Sequence, residues 1–368
     1  MRSLMVYIEP APYILDLIRV MRAQHPELQL RVLFISAGLS QQWNNSIDDG
    51  VSVLLPVRRI AALKQILAEV RKGNFDWLHL AGWGHPLLMA ALICGALFKC
   101  RISMESDTQL PVVQAGWKWR IKELFYPHLF ARVDLLLPGG SRQQDYFRHY
   151  RVPKSKIRIA RMTVDVSKIN KLATKIKTRR NEIRLSMGLS KETVVFVFVG
   201  RLEEYKGINM LLDAFFTLNS TNVQLLVVGE GKCRPSVEKA AKIDSRIVFV
   251  GRKPHPGVVE AFAISDVAIV PSTFEPWGLV VNEAMAVGLP VIASERVGCI
   301  DDLVRDEMNG LLFPAHDVAA LASAMQRIAG SSFLREQMGA TGNKLISNWR
   351  LEDEVAIITS AWREVLVV

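Results

Sequence analysis

The chain has 368 residues, half of them hydrophobic and 22 % charged, with a formal net charge of +10. That length suits two domains of ordinary size, and the absence of any low-complexity tract excludes a largely disordered protein. The four cysteines, Cys94, Cys100, Cys233 and Cys299, lack metal-like pairing and fit core packing in a reducing compartment, and the longest apolar run, 86–98, falls short of the ~20 residues of a membrane span.

In chain order, the pattern predicts a strand over 3–8, a helix over 11–24, strands over 30–36 and 51–56, a helix over 60–72 and a strand over 77–80. A helix over 86–98, a strand over 102–106, a long helix over 115–132 and a strand over 134–137 complete the first set. Such alternation marks a doubly wound parallel sheet. The first strand opens almost at residue 1 and breaks at Glu9, so no signal peptide and a cytoplasmic location are expected. Residues 165–181, rich in Lys and Arg, show no strand pattern and mark a linker, drawn at 169–192. A second set begins at Val194 and continues through strands over 223–229, 246–251, 266–271 and 290–294, with helices over 279–287 and 349–368.

Charge is uneven. Residues 1–180 hold 28 Lys and Arg against 13 Asp and Glu, an excess of +15 that leaves −5 for residues 181–368. A basic body serves nucleic acid, an acidic glycan or an anionic membrane surface, or is simply solvated. No nucleic-acid-binding motif accompanies it, so the membrane surface or an anionic acceptor is favoured over nucleic acid. In 114–130, Trp117, Trp119, Phe125 and Tyr126 mix with Lys118, Arg120 and Lys122, which suits an interfacial helix and equally a helix that packs its aromatics on the sheet.

The densest chemistry lies in 271–290. Glu275 and Glu283 stand eight positions apart across a turn that opens a helix, with Gly278 between them. Amides at a helix N-terminus form an anion site, so two carboxylates beside one point to a sugar nucleotide whose phosphates rest on the main chain. Upstream, a buried-type strand ends at Gly200, and Arg201 and Lys206 follow on one short loop. Two cations at a strand's C-terminal end fit a diphosphate: the guanidinium forks onto oxygens and the ammonium follows charge on the leaving group.

Gly200, Arg201, Lys206-Gly207 and Glu275-x7-Glu283, with Val228-Gly-Glu-Gly231, Val250-Gly-Arg252, Gly288-Leu-Pro-Val291 and Asn309-Gly-Leu-Leu-Phe313, resemble the retaining glycosyltransferases of family 4. The resemblance covers most of the chain and is strongest over 194–313. It implies an α/β chain of the GT-B fold, two doubly wound Rossmann-like domains facing across a cleft. An acceptor-binding domain over 1–168 would be rejoined by the closing helix, 349–368, and a nucleotide-sugar-binding domain would span 193–348. By that resemblance Glu283 accepts from the nucleotide ribose and Glu275 approaches the transferred sugar. Arg252 marks the region that seats the base, and the amides of Trp277, Gly278, Leu279 and Val280 hold the sugar and diphosphate. No Asp-x-Asp stands at a strand end, so cations and amides are expected to replace a metal and no cofactor is expected. Taken singly, each of these residues has a plainer reading: Glu283 a first-turn helix glutamate, Arg201 an ion-pair partner, Lys206 a solvated lysine.

The first half departs more from that family. Where members carry histidines this chain has His79 and His85, and where a histidine precedes an aspartate it has Glu105-Ser-Asp-Thr108, leaving Asp107 as the polar group expected near the anomeric carbon. Glu9-Pro-Ala-Pro-Tyr13 replaces a glycine-rich loop, with Tyr13 placed to stack on a sugar or lipid. The implied activity is retaining transfer of a hexose to a hydroxyl of a glycan or lipid-linked glycan, in building a cell-surface polysaccharide. Alternatives are a nucleotide-sugar epimerase or phosphorylase on the same fold, a non-catalytic nucleotide-sugar or glycan-binding subunit, and a glycosidase using the two glutamates, for which a diphosphate cradle is useless.

Overall fold

The computed structural model describes residues 1–38, 49–111 and 113–367, so the last residue of the expected closing helix, 368, lies outside the described residues. Along the chain run β1 (Arg2–Tyr7), α1 (Pro12–Gln24), β2 (Gln29–Phe34), β3 (Ser52–Leu54), α2 (Arg59–Lys72), β4 (Trp77–Ala81), α3 (Pro86–Leu97), β5 (Arg101–Ser106), α4 (Trp117–Ala131), β6 (Leu135–Pro138) and α5 (Ser141–His149). Next come α6 (Val166–Lys177), α7 (Arg180–Ser186), β7 (Val194–Val199), α8 (Ile208–Phe216), β8 (Val223–Val228), α9 (Arg234–Ile243), β9 (Ile247–Phe249), α10 (His255–Ala263), β10 (Val267–Val270) and α11 (Leu279–Val287). The chain ends with β11 (Val291–Ser294), α12 (Ile300–Leu303), β12 (Gly310–Phe313), α13 (Val318–Ala329), α14 (Ser332–Ile346) and α15 (Leu351–Val367).

Two compact units result, one of residues 1–162 with α15, the other of residues 163–350. Each holds one six-stranded parallel sheet, ordered β3-β2-β1-β4-β5-β6 in the first and β12-β11-β10-β7-β8-β9 in the second. The inner strands are largely buried on both faces, which is why they read as unbroken apolar runs such as Val194-Val-Phe-Val-Phe-Val199, whereas the edge strand β3 is not buried. In each sheet the sequence order reverses once, between β1 and β4 and between β7 and β10. Loops leaving the C-terminal ends of strands at such a reversal splay apart and leave a crevice where ligands of doubly wound sheets bind.

In the first unit, α15 packs along α1, and Leu351, Val355, Ile358, Ala361 and Trp362 share a core with Ile14, Leu17, Ile18 and Met21. Trp362 is fully buried and stacks on Trp77 with ring centroids 5.9 Å apart. Burying an indole of ~150–250 Å² stabilises that contact by about 4–6 kcal/mol, an upper bound against an extended chain.

The second unit begins earlier than the linker drawn from sequence allows. Residues 166–177 and 180–186 are helices: the Asp165 side chain caps α6 by accepting from Lys168 N at 2.9 Å, and Val166, Ile169 and Ala173 are buried. Three small apolar residues on one face among many lysines are enough to dock α6 against α10 and α11, so the boundary falls at 162–163. Among the described residues no helix is long and apolar enough to cross a membrane.

Candidate functional site

In the second unit the reversal lies between β7 and β10, and the loops that leave those strands carry the predicted cluster. After β7 the chain passes through Gly200 and Arg201 into a 3₁₀ turn, Glu204–Lys206, and then Gly207 at φ 73°. A Cβ on Gly207 would fall 2.0 Å from the carbonyl oxygen of Pro271, the first residue after β10. The glycine therefore lets the two loops touch backbone to backbone. Thr273 N donates to the Tyr205 carbonyl at 2.8 Å and ties the loops again.

That contact delivers Lys206 to Glu275. The ammonium forms an ion pair with Glu275 Oε2, and Ser272 Oγ donates to the same oxygen at 3.3 Å. Glu275 is only 8 % exposed. The Arg201 guanidinium and the Lys206 ammonium each lie 5.6 Å from the Tyr205 ring centroid, so one aromatic ring gathers both cations. Burial raises the Tyr205 phenol pKa, against the pull of Arg201, and keeps it protonated and neutral between them.

The N-terminus of α11 is adjacent. Its N-cap is Gly278 at φ 101°, and a Cβ there would meet Val297 Cγ1 at 2.9 Å and Glu275 Cγ at 3.2 Å. No side chain caps this terminus, so the amides of Leu279 and Val280 open the helix without intrahelical acceptors. Trp277 holds the turn from beneath: its ring is buried, donates to Asn282 Oδ1 at 3.1 Å and stacks 6.3 Å from Trp349. Its side chain is thus part of the unit's core, and its carbonyl accepts from Cys299 N at 2.9 Å. Glu283 follows one turn into the helix, where His255 Nε2 lies 3.5 Å from Glu283 Oε1. Arg252 is exposed on the loop after β9.

The structure thus brings Gly200, Arg201, Lys206, Glu275 and the Trp277 to Val280 turn together on loops of adjacent strands, with Glu283 on the helix that turn begins. The candidates of the first unit are arranged differently. Asp107 lines a pocket of that unit, whereas His79 is 0 % exposed inside β4 and does not. His85 caps α3, its Nδ1 accepting from Leu87 N at 3.2 Å, and burial with nearby Arg59 lowers its pKa so that it stays neutral. Sequence reasoning passed over Tyr205, Ser272 and His255, which stand out only once the loops are folded, and read Asp107 rather than Glu105 as the polar group of its strand end.

Residues 179–345 match the family described as glycosyl transferases group 1. The D-inositol 3-phosphate glycosyltransferase of Rhodococcus opacus (strain B4) is 26 % identical over 304 residues, which take in 79 % of this chain. Those residues span 65 % of that relative, so the chain matches less than two thirds of its length. Among solved structures, Anabaena Alr3699/HepE in complex with UDP superposes with a TM-score of 0.79 at 15 % identity, covering 98 % of this chain and 99 % of that one. The sucrose-phosphate synthase of Thermosynechococcus elongatus superposes with a TM-score of 0.77 at 18 % identity, covering all of both chains. At those identities the superpositions establish the fold.

Proposed function

We propose that this chain, with its GT-B fold and a segment matching the group 1 glycosyl transferases, is a family 4, retaining hexosyltransferase. It moves a hexose from a nucleoside diphosphate sugar to a hydroxyl of a glycan or lipid-linked glycan acceptor, in building a cell-surface polysaccharide on the cytoplasmic side of a membrane. The observation that carries this reading is the Lys206 and Glu275 ion pair set beside the uncapped start of α11 at the sheet's reversal point.

A diphosphate laid on the α11 amides meets Arg201 and Lys206, and Glu283 accepts from the ribose hydroxyls through two oxygens. Lys206 then exchanges its pairing with Glu275 for the phosphate, which frees Glu275 to accept from the sugar. As the anomeric bond to phosphate breaks, negative charge grows on the leaving group. Cations and dipoles already in place stabilise it without reorganising, and do so in the position a divalent ion would otherwise take. Attack from the face the phosphate leaves retains configuration.

The acceptor binds the first unit. On α4 only Phe130 is fully buried, while Trp117 is 69 % and Leu124 63 % exposed, with Ile121 and Phe125 also exposed. Lys118, whose ammonium lies 5.7 Å from the Trp117 ring, and Arg120 share that helix. Apolar anchors among cations suit seating on an anionic lipid surface, where a lipid-linked acceptor is found.

Thermal-shift screening against UDP-, GDP- and ADP-linked hexoses tests the donor reading. One nucleotide sugar should raise the melting temperature with the logarithm of its concentration, and Arg201→Ala should weaken that response. A chain indifferent to every nucleotide sugar contradicts the proposal; donor consumed without acceptor identifies an epimerase instead.

A further inference from the structure

The first unit carries its own pocket, of about 520 Å³, at the C-terminal ends of β1, β4, β5 and β6. It lies at that sheet's reversal, between β1 and β4, and its size is that of a small-molecule site, ~300–1,000 Å³. Aromatic rings of Tyr13, Trp83 and Tyr126 line it together with the carboxylates Glu105, Asp107 and Glu354. Lys122 is the cation among the lining side chains. Rings of this kind take the C–H face of a sugar, and carboxylates accept from its hydroxyls.

Glu105 is the carboxylate with a built support. Trp362 Nε1–H donates to Ser103 Oγ at 2.9 Å, Ser103 Oγ lies 2.9 Å from His79 Nδ1, and His79 Nε2 lies 3.2 Å from Glu105 Oε2. An indole N–H only donates, so Ser103 Oγ accepts from it. An ionised carboxylate only accepts, so the His79 Nε2–H donates to Glu105, and in the neutral imidazole Nδ1 then accepts from the Ser103 hydroxyl. Beside Glu105 stands Tyr7, 1 % exposed and lining the same pocket, where burial and the neighbouring Glu105 carboxylate raise the pKa of its phenol.

We propose that this pocket is a saccharide site selective for neutral or amine-bearing sugar and against anionic sugar. Glu105 accepts from the sugar hydroxyls, and His79 acts as the positioning residue of Glu105. The assignment rests on the reading above, as its acceptor side. It reverses the expectation of an anionic acceptor raised by the basic charge of residues 1–180, because, of that charge, Lys122 alone among the described residues lines the pocket, against four acidic residues, Glu9, Glu105, Asp107 and Glu354.

The test is calorimetric titration of the full chain with methyl glucosides, galactosides and mannosides, their 2-amino counterparts and the corresponding uronates, with UDP, GDP and ADP titrated alongside. At least one neutral or amino sugar should bind, its uronate about tenfold or more weaker, and Glu105→Gln should weaken the neutral sugar about tenfold. His79→Gln, which keeps an N–H donor, should retain binding that His79→Leu loses; this rescue separates positioning from packing. Should the His79 variants fail to fold, pocket-lining Glu105→Gln decides. Uronates that bind as well as neutral sugars, no binding by any sugar, or an indifferent Glu105→Gln overturns the assignment. Sugar binding without nucleotide binding sinks the donor reading alone, and nucleotide binding without sugar binding sinks this one alone.

Discussion

Gly207→Ala probes the joint that builds the proposed donor site. The residue sits at φ 73°, where an L side chain costs roughly 1–2 kcal/mol, and its new Cβ would lie 2.0 Å from Pro271 O and 2.7 Å from Pro271 C. Both atoms are backbone on a loop anchored by β10, so the two loops must part by more than an ångström. The Thr273 N to Tyr205 O bond at 2.8 Å goes with them, worth ~1 kcal/mol. The sum is about 2–3 kcal/mol before the forced separation of the two backbones is counted, toward the upper end for single substitutions. Gly188→Ala is the control: φ is 78°, but nothing lies within 4 Å of its Cβ, so it should cost only the ~1–2 kcal/mol of backbone strain. Urea melts should therefore show Gly207→Ala less stable than Gly188→Ala by at least about 1 kcal/mol, and only Gly207→Ala should lose nucleoside diphosphate affinity. Equal destabilisation, or a Gly207→Ala variant that binds nucleotide like the parent, refutes the idea that loop contact places Lys206.

Lys206→Ala should lower kcat for transfer about 10²–10³-fold, the loss typical of one donor to a developing charge, while moving donor affinity much less; near-normal turnover would remove its role. Asp266→Asn tests a structural carboxylate. Burial alone would raise its pKa, but Arg180 and Arg184, at 2.6 and 2.7 Å, and the Val195 amide hold it below the usual range. A depressed carboxyl stabilises the fold above its unfolded pKa of ~3.9, and that contribution fades as pH falls through the folded value. The variant should thus be about 3 kcal/mol less stable near pH 7, with the gap closing below about pH 4 in denaturant melts; a gap that ignores pH would contradict this. In sedimentation with anionic vesicles, the chain should pellet at low salt and release near ~0.5 M salt, and Trp117→Ser with Leu124→Ser should weaken pelleting. Equal pelleting with neutral vesicles would tell against the α4 surface.

The sheets were legible because strands buried on both faces, such as β7, carry continuous apolar runs, and helices fill the intervals between them. The α6 helix was not, since Val166, Ile169 and Ala173 are too few among lysines to reveal a buried stripe. The proposed donor cluster could be read because most of it is local: the loops after the neighbouring strands β7 and β10 carry Gly200, Arg201, Lys206, Glu275 and the turn before α11, with Glu283 one turn beyond. His79 stood out as a polar residue in an apolar strand, but sequence does not say whether such a residue faces a ligand or a core, and β4 buries it. The support of Glu105 was invisible for another reason. It runs through Trp362 to Ser103, 259 positions away, and exists only because α15 folds back onto its own unit.

Paired titrations of UDP against uridine, GDP against guanosine and ADP against adenosine, in the parent chain and in Arg201→Ala with Lys206→Ala, address the diphosphate cradle itself. For the preferred base, the diphosphate should bind at least about 100-fold more tightly than the nucleoside in the parent, and that advantage should shrink about tenfold or more in the double variant. A diphosphate advantage that survives removal of both cations would place the anion elsewhere and contradict the account.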